Sequence, residues 1–249
     1  MKSLLVMIAA AVVLFGASAI LIASKRHPGP PSALASAGAT ALVIDATDPL
    51  TPSHLVHLRA RLRKLGEGLR RGERLSVFVL SGDSPSPREL QTITNPGRGC
   101  DAHPFTEGAA VLDRRFATEV LQQLDSLVTV VARCDTSRQS AILEALWQIT
   151  HYSDFAHQQG PRHLVLVSDL IENTRSFSLY SQGNADFFSA NGTLQDDRWV
   201  ASLKGASVDV ICLLRPRDAP LQGPSLFSLW ARYFEHCGAT STTFMAVGS

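Results

Sequence analysis

Two short, wholly apolar runs constrain the fold of this chain most. Residues 41–44 are followed directly by Asp45, and residues 164–167 are followed by Ser168 and Asp169. Apolar runs without alternation are typical of strands that are buried on both faces, as in parallel sheets. In open α/β sheets, ligands bind just beyond the carboxyl ends of the strands. We therefore expect the polar side chains after the two runs to converge on one site.

Helical and extended segments alternate along the rest of the chain. A hydroxyl followed by proline, Thr51-Pro52, predicts the start of a first helix whose leucines recur at spacings of three and four as far as Leu69. Such alternation implies βαβ units, so the predicted fold class is α/β, with a doubly wound, mostly parallel sheet flanked by helices. The further predicted strands are 75–80, 90–94, 208–214 and 242–247, and the further predicted helices are 113–130, 137–150 and 226–236.

The amino-terminal segment predicts an attachment to a membrane. Residues 4–23 are 20 uncharged, mostly apolar residues, and about 20 are needed to cross a bilayer as a helix. The apolar region of a secretory signal is shorter, about 7–15 residues. We therefore expect a transmembrane anchor at 1–26, a Pro/Gly/Ser/Ala-rich tether at 27–39 and one α/β domain at 40–249. A cleaved signal and a buried helix are the alternatives.

The distribution of charge gives little information on the orientation of the chain in the membrane. It argues against a nucleic-acid-binding function. Lys2 and the amino terminus balance Lys25 and Arg26 across the anchor, so the positive-inside rule gives almost no preference. Because a short tail is easily retained while a long domain is exported, we expect a single-pass inner-membrane protein with its domain on the periplasmic side. From residue 28 onward there are 20 Lys/Arg and 22 Asp/Glu. Nucleic-acid-binding modules normally show a marked basic excess, so none is expected here.

The four cysteines do not form a zinc or thioredoxin-type motif. Cys100, Cys134, Cys212 and Cys237 include no C-x-x-C pair. Cys212 lies inside an apolar run and is expected to be a core thiol. Cys100 and Cys134 lie in predicted loops and could pair in an exported domain, but the sequence does not fix their connectivity.

The order of these signals resembles that of a von Willebrand factor A-type domain, over about residues 40–247. In that family, D-x-S-x-S after the first strand, a threonine in a T-x-x-x-x-A-L loop and an aspartate after the fourth strand form a metal-ion-dependent adhesion site. Asp45 and Thr47 match the first two positions, Ser140 resembles the threonine, and Asp169 ends the fourth predicted strand. The resemblance implies that these four residues bind Mg²⁺ or Mn²⁺. Such a cation would keep open positions for water or for a carboxylate of a partner.

The chain departs from the family pattern at two places. Pro49 stands at the third ligand position of the first motif, where the second hydroxyl belongs, and Asp48 or Thr51 could substitute for it. The glycine-rich middle loop is replaced by residues 134–139. In the alternative of a vestigial site, Asp45 caps a neighbouring helix and Asp169 is hydrogen-bonded to loop amides.

These observations predict a membrane-tethered, non-catalytic protein-binding or assembly module whose partner protein the sequence does not identify. We expect Asp45→Ala to abolish a stabilising response to Mg²⁺ or Mn²⁺ while leaving the fold intact. One alternative is a Mg²⁺-dependent phosphohydrolase with Asp45 as nucleophile, although Lys64 and Lys204, the only lysines past the tether, are not placed to assist it. The other alternative is a purely structural module.

A stretch rich in Ser, Asn and aromatic residues comes after Asp169, at 173–193. Its aromatic side chains either form a recognition surface or bury a long loop. They are Phe177, Tyr180, Phe187 and Phe188.

Overall fold

A computed structural model describes residues 37–82, 84, 86–182 and 199–248. The predicted anchor and nearly all of the predicted tether lie outside these residues. Within the described ranges, no helix combines the length and the apolar character that a bilayer crossing requires.

The described residues form a six-stranded sheet in the order β3-β2-β1-β4-β5-β6. β3 runs antiparallel to β2, and the other neighbouring pairs are parallel. The doubly wound, mostly parallel sheet predicted from the sequence is therefore confirmed. The strands are β1 (Ala39–Asp45), β2 (Arg74–Leu80), β3 (Arg88–Thr94), β4 (Arg162–Ser168), β5 (Ala206–Leu213) and β6 (Ser241–Val247). The α-helices are α1 (Pro52–Gly68), α2 (Ala109–Phe116), α3 (Gln123–Val131), α4 (Ile142–Tyr152), α5 (Leu179–Gln182) and α6 (Pro224–His236).

Each face of the sheet has its own hydrophobic core, and β1 contributes to both. Its side chains alternate, so Ala41 and Val43 pack on one face while Leu42 and Ile44 pack on the other. All seven residues of β1 are buried. This explains why the first apolar run shows no alternation in sequence. Helices α4 and α6 contribute to the first core, and α1 and α3 contribute to the second.

The first helix begins where the sequence predicts. Thr51 is its N-cap, with the backbone N–H of His54 donating to Thr51 Oγ1 at 3.2 Å. The His54 ring is buried, and its Nε2 lies 3.1 Å from the carbonyl oxygen of Leu214. These contacts hold α1 at the carboxyl edge of the sheet, beside the end of β5.

Two predicted helices differ from the structure. The segment 113–130 is longer than predicted, because α2 begins at Ala109 and continues through a π-helical segment, Ala117–Gln122, into α3. The prediction of a helix from residue 137 is wrong, since α4 begins only at Ile142. Instead, Ser140 and Asn173 exchange two backbone hydrogen bonds of 2.8 and 2.9 Å across an isolated antiparallel bridge. That tertiary pairing outweighs the helical propensity of the segment.

The cysteines are all free thiols in the structure. Cys212 is buried in the core, as predicted from its apolar neighbours. Cys100 is exposed.

Candidate functional site

The candidate site lies at the carboxyl edge of the sheet, where the strand order reverses. From β1 the chain passes outward to β2 and β3, and it then returns to place β4 on the other side of β1. This switch point is where doubly wound sheets form their ligand crevice. A cavity of about 410 Å³ opens here. Its lining includes Thr47, Asp48, Ser137, Arg138, Gln139, Ser140, Asp169, Asn173, Tyr180, Arg217 and Asp218.

Asp45 is the hydrogen-bonding centre of this edge. Its Oδ1 accepts from the hydroxyl of Thr47 at 2.6 Å and from the backbone N–H of Thr47 at 3.1 Å. Its Oδ2 accepts from the hydroxyls of Ser140 at 2.9 Å and Ser168 at 2.8 Å. Hydrogen bonds to an ionised acceptor are the strong ones, and four of them compensate the burial of this carboxylate.

The burial of Asp45 corrects one expectation from the sequence. Asp45→Ala was expected to leave the fold intact, since it would remove a charge from a surface site. The side chain is instead buried, and its loss leaves the hydroxyls of Thr47, Ser140 and Ser168 without their acceptor. Unsatisfied buried polar groups cost about 1–3 kcal/mol each, so this substitution destabilises the domain as well as altering the site.

Asp169 lies at the same edge and is also buried. Its Oδ1 accepts from the backbone N–H of Ile171 at 3.0 Å, and its Oδ2 accepts from Nε of Arg215 at 3.1 Å. Burial, followed by the negative charge of Asp45, raises the pKa of Asp169 to about 7, although Ile171 and Arg215 oppose the shift. The structure thus brings Asp45, Thr47, Ser140 and Asp169 together. Their role as metal ligands stays a prediction.

Two arginines that were not identified from the sequence complete the site. Arg215 comes shortly after β5, and its Nη1 donates to the carbonyl oxygen of Pro49 at 2.8 Å. Arg217 donates to Asp48 Oδ2 at 2.5 Å and to Asp218 Oδ2 at 3.0 Å. The sequence does carry a signal for Arg215, because it stands directly after the apolar run 208–214, just as Asp45 stands directly after the first run.

The residues that could replace the missing second hydroxyl of the first motif are already engaged. Asp48 is paired with Arg217, and the hydroxyl of Thr51 accepts the N-cap hydrogen bond of α1. Pro49 contributes its carbonyl oxygen to Arg215 rather than to a cation. The first motif of the edge therefore supplies one hydroxyl, that of Thr47, which donates to Asp45.

A divalent cation does not fit the site as the side chains are arranged. The oxygen donors are of the kind that Mg²⁺ prefers. Both carboxylate oxygens of Asp45 and of Asp169 already accept hydrogen bonds, however, and a guanidinium group neutralises Asp169. Among the described residues, no group of three or more His, Cys, Asp or Glu side chains is placed to hold a metal ion.

Glu172 is a further buried acid behind the edge. Its Oε2 accepts from the backbone N–H of Leu143 at 3.0 Å, at the start of α4. Its Oε1 has no hydrogen-bond partner among the residues that the structure describes. Burial raises the pKa of Glu172 to about 8, so this carboxyl group is protonated at neutral pH.

The described aromatic residues after Asp169 include one that is buried and one that is exposed. Phe177 is buried in the core, whereas Tyr180 is 47 % exposed at the rim of the cavity. The Tyr180 hydroxyl donates to Asp218 Oδ1 at 3.2 Å. Phe187 and Phe188 lie outside the described residues.

The segments that the family resemblance singles out meet at one edge. The loop after β1, the loop that carries Ser140 and the end of β4 all contribute hydrogen-bonding partners around Asp45. They lie on a doubly wound, mostly parallel sheet, which is the fold that the resemblance implies. In sequence, no family model matches the chain, and neither does any curated protein.

Several solved structures are similar to the chain at low identity. The human COPII-coat protein Sec24c is 13 % identical with a TM-score of 0.45, over 85 % of this chain and 29 % of its own length. BatB from Bacteroides thetaiotaomicron is 14 % identical with a TM-score of 0.37, over 72 % of this chain and 68 % of BatB. The SpRpn10 VWA domain is 8 % identical with a TM-score of 0.31, over 85 % of this chain and 88 % of that domain. The chain thus spans less than a third of Sec24c.

Proposed function

We propose that this chain is a non-catalytic protein-binding or assembly module, tethered to the inner membrane by residues 4–23, which captures a partner protein at the carboxyl edge of its sheet. The observation that carries the proposal is the contrast between the floor and the rim of the cavity. The floor consists of buried acids with satisfied hydrogen bonds. The rim presents the exposed side chains of Arg138, Tyr180 and Arg217.

The chemistry of the rim suits a polar segment of a protein. Tyrosine and arginine are the residue types that protein interfaces favour. Arg217 is paired with Asp48 and Asp218, whereas Arg138 forms no ion pair with any residue that the structure describes. A cavity of about 410 Å³ accommodates one or two side chains of a partner. An acidic side chain opposite Arg138 is the contact that this charge distribution favours.

The burial of Asp45 supports a binding function over hydrolysis. A nucleophilic carboxylate has to reach the phosphorus atom of its substrate with a free oxygen. Asp45 is 3 % exposed, and both of its oxygens accept hydrogen bonds. A purely structural module remains the alternative, and it would make no use of the exposed rim.

Site-specific photo-crosslinking in cells tests the proposal. A photoreactive phenylalanine analogue at position 180 should give one discrete crosslinked protein, and Arg138→Glu should reduce its yield. Tyr152 is a matched control, because it is a more exposed tyrosine, at 70 %, and lies at the far end of α4 from the cavity. Equal crosslinking from positions 152 and 180, or none from position 180, would contradict the proposed surface.

The proposed function does not depend on a cation. Binding of Mg²⁺ or Mn²⁺ by Asp45, Thr47, Ser140 and Asp169, which the family resemblance implies, would require Arg215 to release Asp169. A bound cation would raise the melting temperature of the wild-type chain by mass action, and a titration with either ion measures this response.

A further inference from the structure

Arg215 is held over the acidic edge by a dedicated set of contacts. Its side chain is only 9 % exposed, and its Nε is 3.1 Å from Asp169 Oδ2 and 4.0 Å from Asp48 Oδ2. Its Nη1 donates to the carbonyl oxygen of Pro49 at 2.8 Å. One guanidinium group therefore joins the loop after β1 to the end of β4. These are two of the segments from which the predicted cation ligands come.

Gln222 holds the backbone at Arg215 in place. The side-chain Nε2 of Gln222 donates to the carbonyl oxygens of Asp169 and Leu213, at 3.0 and 2.9 Å. Its Oε1 accepts from the backbone N–H of Arg215 at 2.7 Å. A buried amide with three hydrogen bonds thus ties the end of β4 to the end of β5. Gln222 thus fixes the backbone at Arg215, while Asp169 and Pro49 hold the guanidinium group at the edge.

The electrostatic need at this edge is for positive charge. Asp45 and Asp169 are both buried, and like charges in a shared site repel. A divalent cation is one source of compensation. A guanidinium group is another, because it is permanently charged and its planar fork suits carboxylate oxygens.

We infer that Arg215 takes the place of a divalent cation at this edge, so that the site is preformed and independent of metal. A metal ion competes with Arg215 for Asp169 and for the loop after β1. The edge therefore becomes a cation site only when the guanidinium group is removed. The inference concerns the same edge as the proposed function but does not depend on a partner, and its test uses no partner.

Melting of the full-length chain in a mild non-ionic detergent, with and without millimolar MnCl₂, tests the inference. The wild-type melting temperature should be unchanged by Mn²⁺. Arg215→Gln leaves buried carboxylates without their counter-charge, so its melting temperature should fall by about 10 °C. Mn²⁺ should recover most of this loss, and the recovery should disappear in the double variant Arg215→Gln, Asp169→Asn.

A second arginine supplies the matched control. Arg162 lies at the start of β4, at the opposite edge of the sheet, and its guanidinium group donates to the carbonyl oxygens of Ser202 and Lys204. Arg162→Gln should lower the melting temperature without creating any response to Mn²⁺. This control separates a cation site from a general stabilising effect of the salt.

If Arg215→Gln folds poorly, a direct measurement of Mn²⁺ binding and a conservative variant still test the inference. Arg215→Lys retains the charge and should bind no Mn²⁺, as judged by the electron paramagnetic resonance signal of the free ion. Stabilisation of the wild type by Mn²⁺ that is lost in Asp45→Asn would overturn the inference. Absence of Mn²⁺ binding to folded Arg215→Gln would overturn it as well.

Discussion

At the scale of single residues, the stability of the carboxyl edge depends on how the negative charge of each buried acid is compensated. Asp45 receives hydroxyl groups, Asp169 receives a guanidinium group, and Glu172 retains its proton. Leu170, between two of these acids, has a left-handed backbone with φ of 67°. Such a conformation is costly for a branched residue other than glycine, and strained positions of this kind concentrate at functional sites.

Glu172 gives the domain a predictable pH dependence. Its pKa in the folded state is about 8, above the ordinary value of 4.5, so between these values the folded state holds a proton that the unfolded state has released. Stability is therefore lost as the pH rises through this range, by on the order of 1 kcal/mol per pH unit. Asp169, with a pKa of about 7, acts in the same direction below pH 7. Between pH 7 and 8, Glu172 accounts for most of the loss and Asp169 for a smaller part.

Urea unfolding at pH 7 and pH 8 measures this contribution. Glu172→Gln, which cannot ionise, should remove most of the loss of stability between the two pH values. Glu235→Gln, on the exposed face of α6, should retain it. A wild-type free energy of unfolding that is the same at both pH values would show that Glu172 does not retain its proton in the folded domain.

At the scale of elements, the packing of α1 on the neighbouring helical segment depends on the absence of a side chain at Gly66. A Cβ atom at Gly66 would lie 2.6 Å from Leu124 Cδ1 and 3.3 Å from Val120 Cγ1, whereas one at Gly68 would meet nothing within 4 Å. Gly66→Ala should therefore destabilise by about 1–2 kcal/mol, since overpacking outweighs the gain in helical propensity. Gly68→Ala should stabilise by about 0.5–1 kcal/mol. Chemical denaturation of the two variants measures the contrast, and equal effects would contradict the close approach.

Strands that are buried on both faces of the sheet were predictable from the sequence. Contacts between residues that are far apart in the sequence were not. The run before Asp45 predicted β1 correctly because its apolar pattern results from the burial of both faces of the sheet. The bridge between Ser140 and Asn173 was not predictable, because helical propensity is local and the competing strand pairing joins residues 33 positions apart. Arg215 was partly predictable, since its place after β5 can be read from the sequence. Its contacts with Asp169 and Pro49 were not, because they join residues 46 and 166 positions apart.

At the scale of the whole molecule, the chain divides into a unit at Met1–Leu34 and a folded unit at Ala35–Ser249. We predict that the first of these carries an uncleaved anchor at residues 4–23. The full-length chain should then remain in the membrane pellet after carbonate extraction, and a variant lacking residues 1–26 should be recovered in the supernatant. The two chains should melt at similar temperatures, because the hydrophobic cores contain no described residue before Ala39. A shortened wild-type chain in the soluble fraction would instead establish a cleaved signal.

The side of the membrane can be tested with the cysteines of the folded unit. Cys100 is exposed, Cys134 is partly exposed, and Cys212 and Cys237 are buried. If the domain is periplasmic, a membrane-impermeant maleimide should label the chain in spheroplasts without lysis. Cys100→Ser should remove most of the label, because burial slows the reaction of the other thiols. Labelling that appears only after lysis would place the domain in the cytoplasm. The rim around Arg138 and Tyr180 would then face cytoplasmic partner proteins. The charges at the carboxyl edge of the sheet would be the same on either side of the membrane.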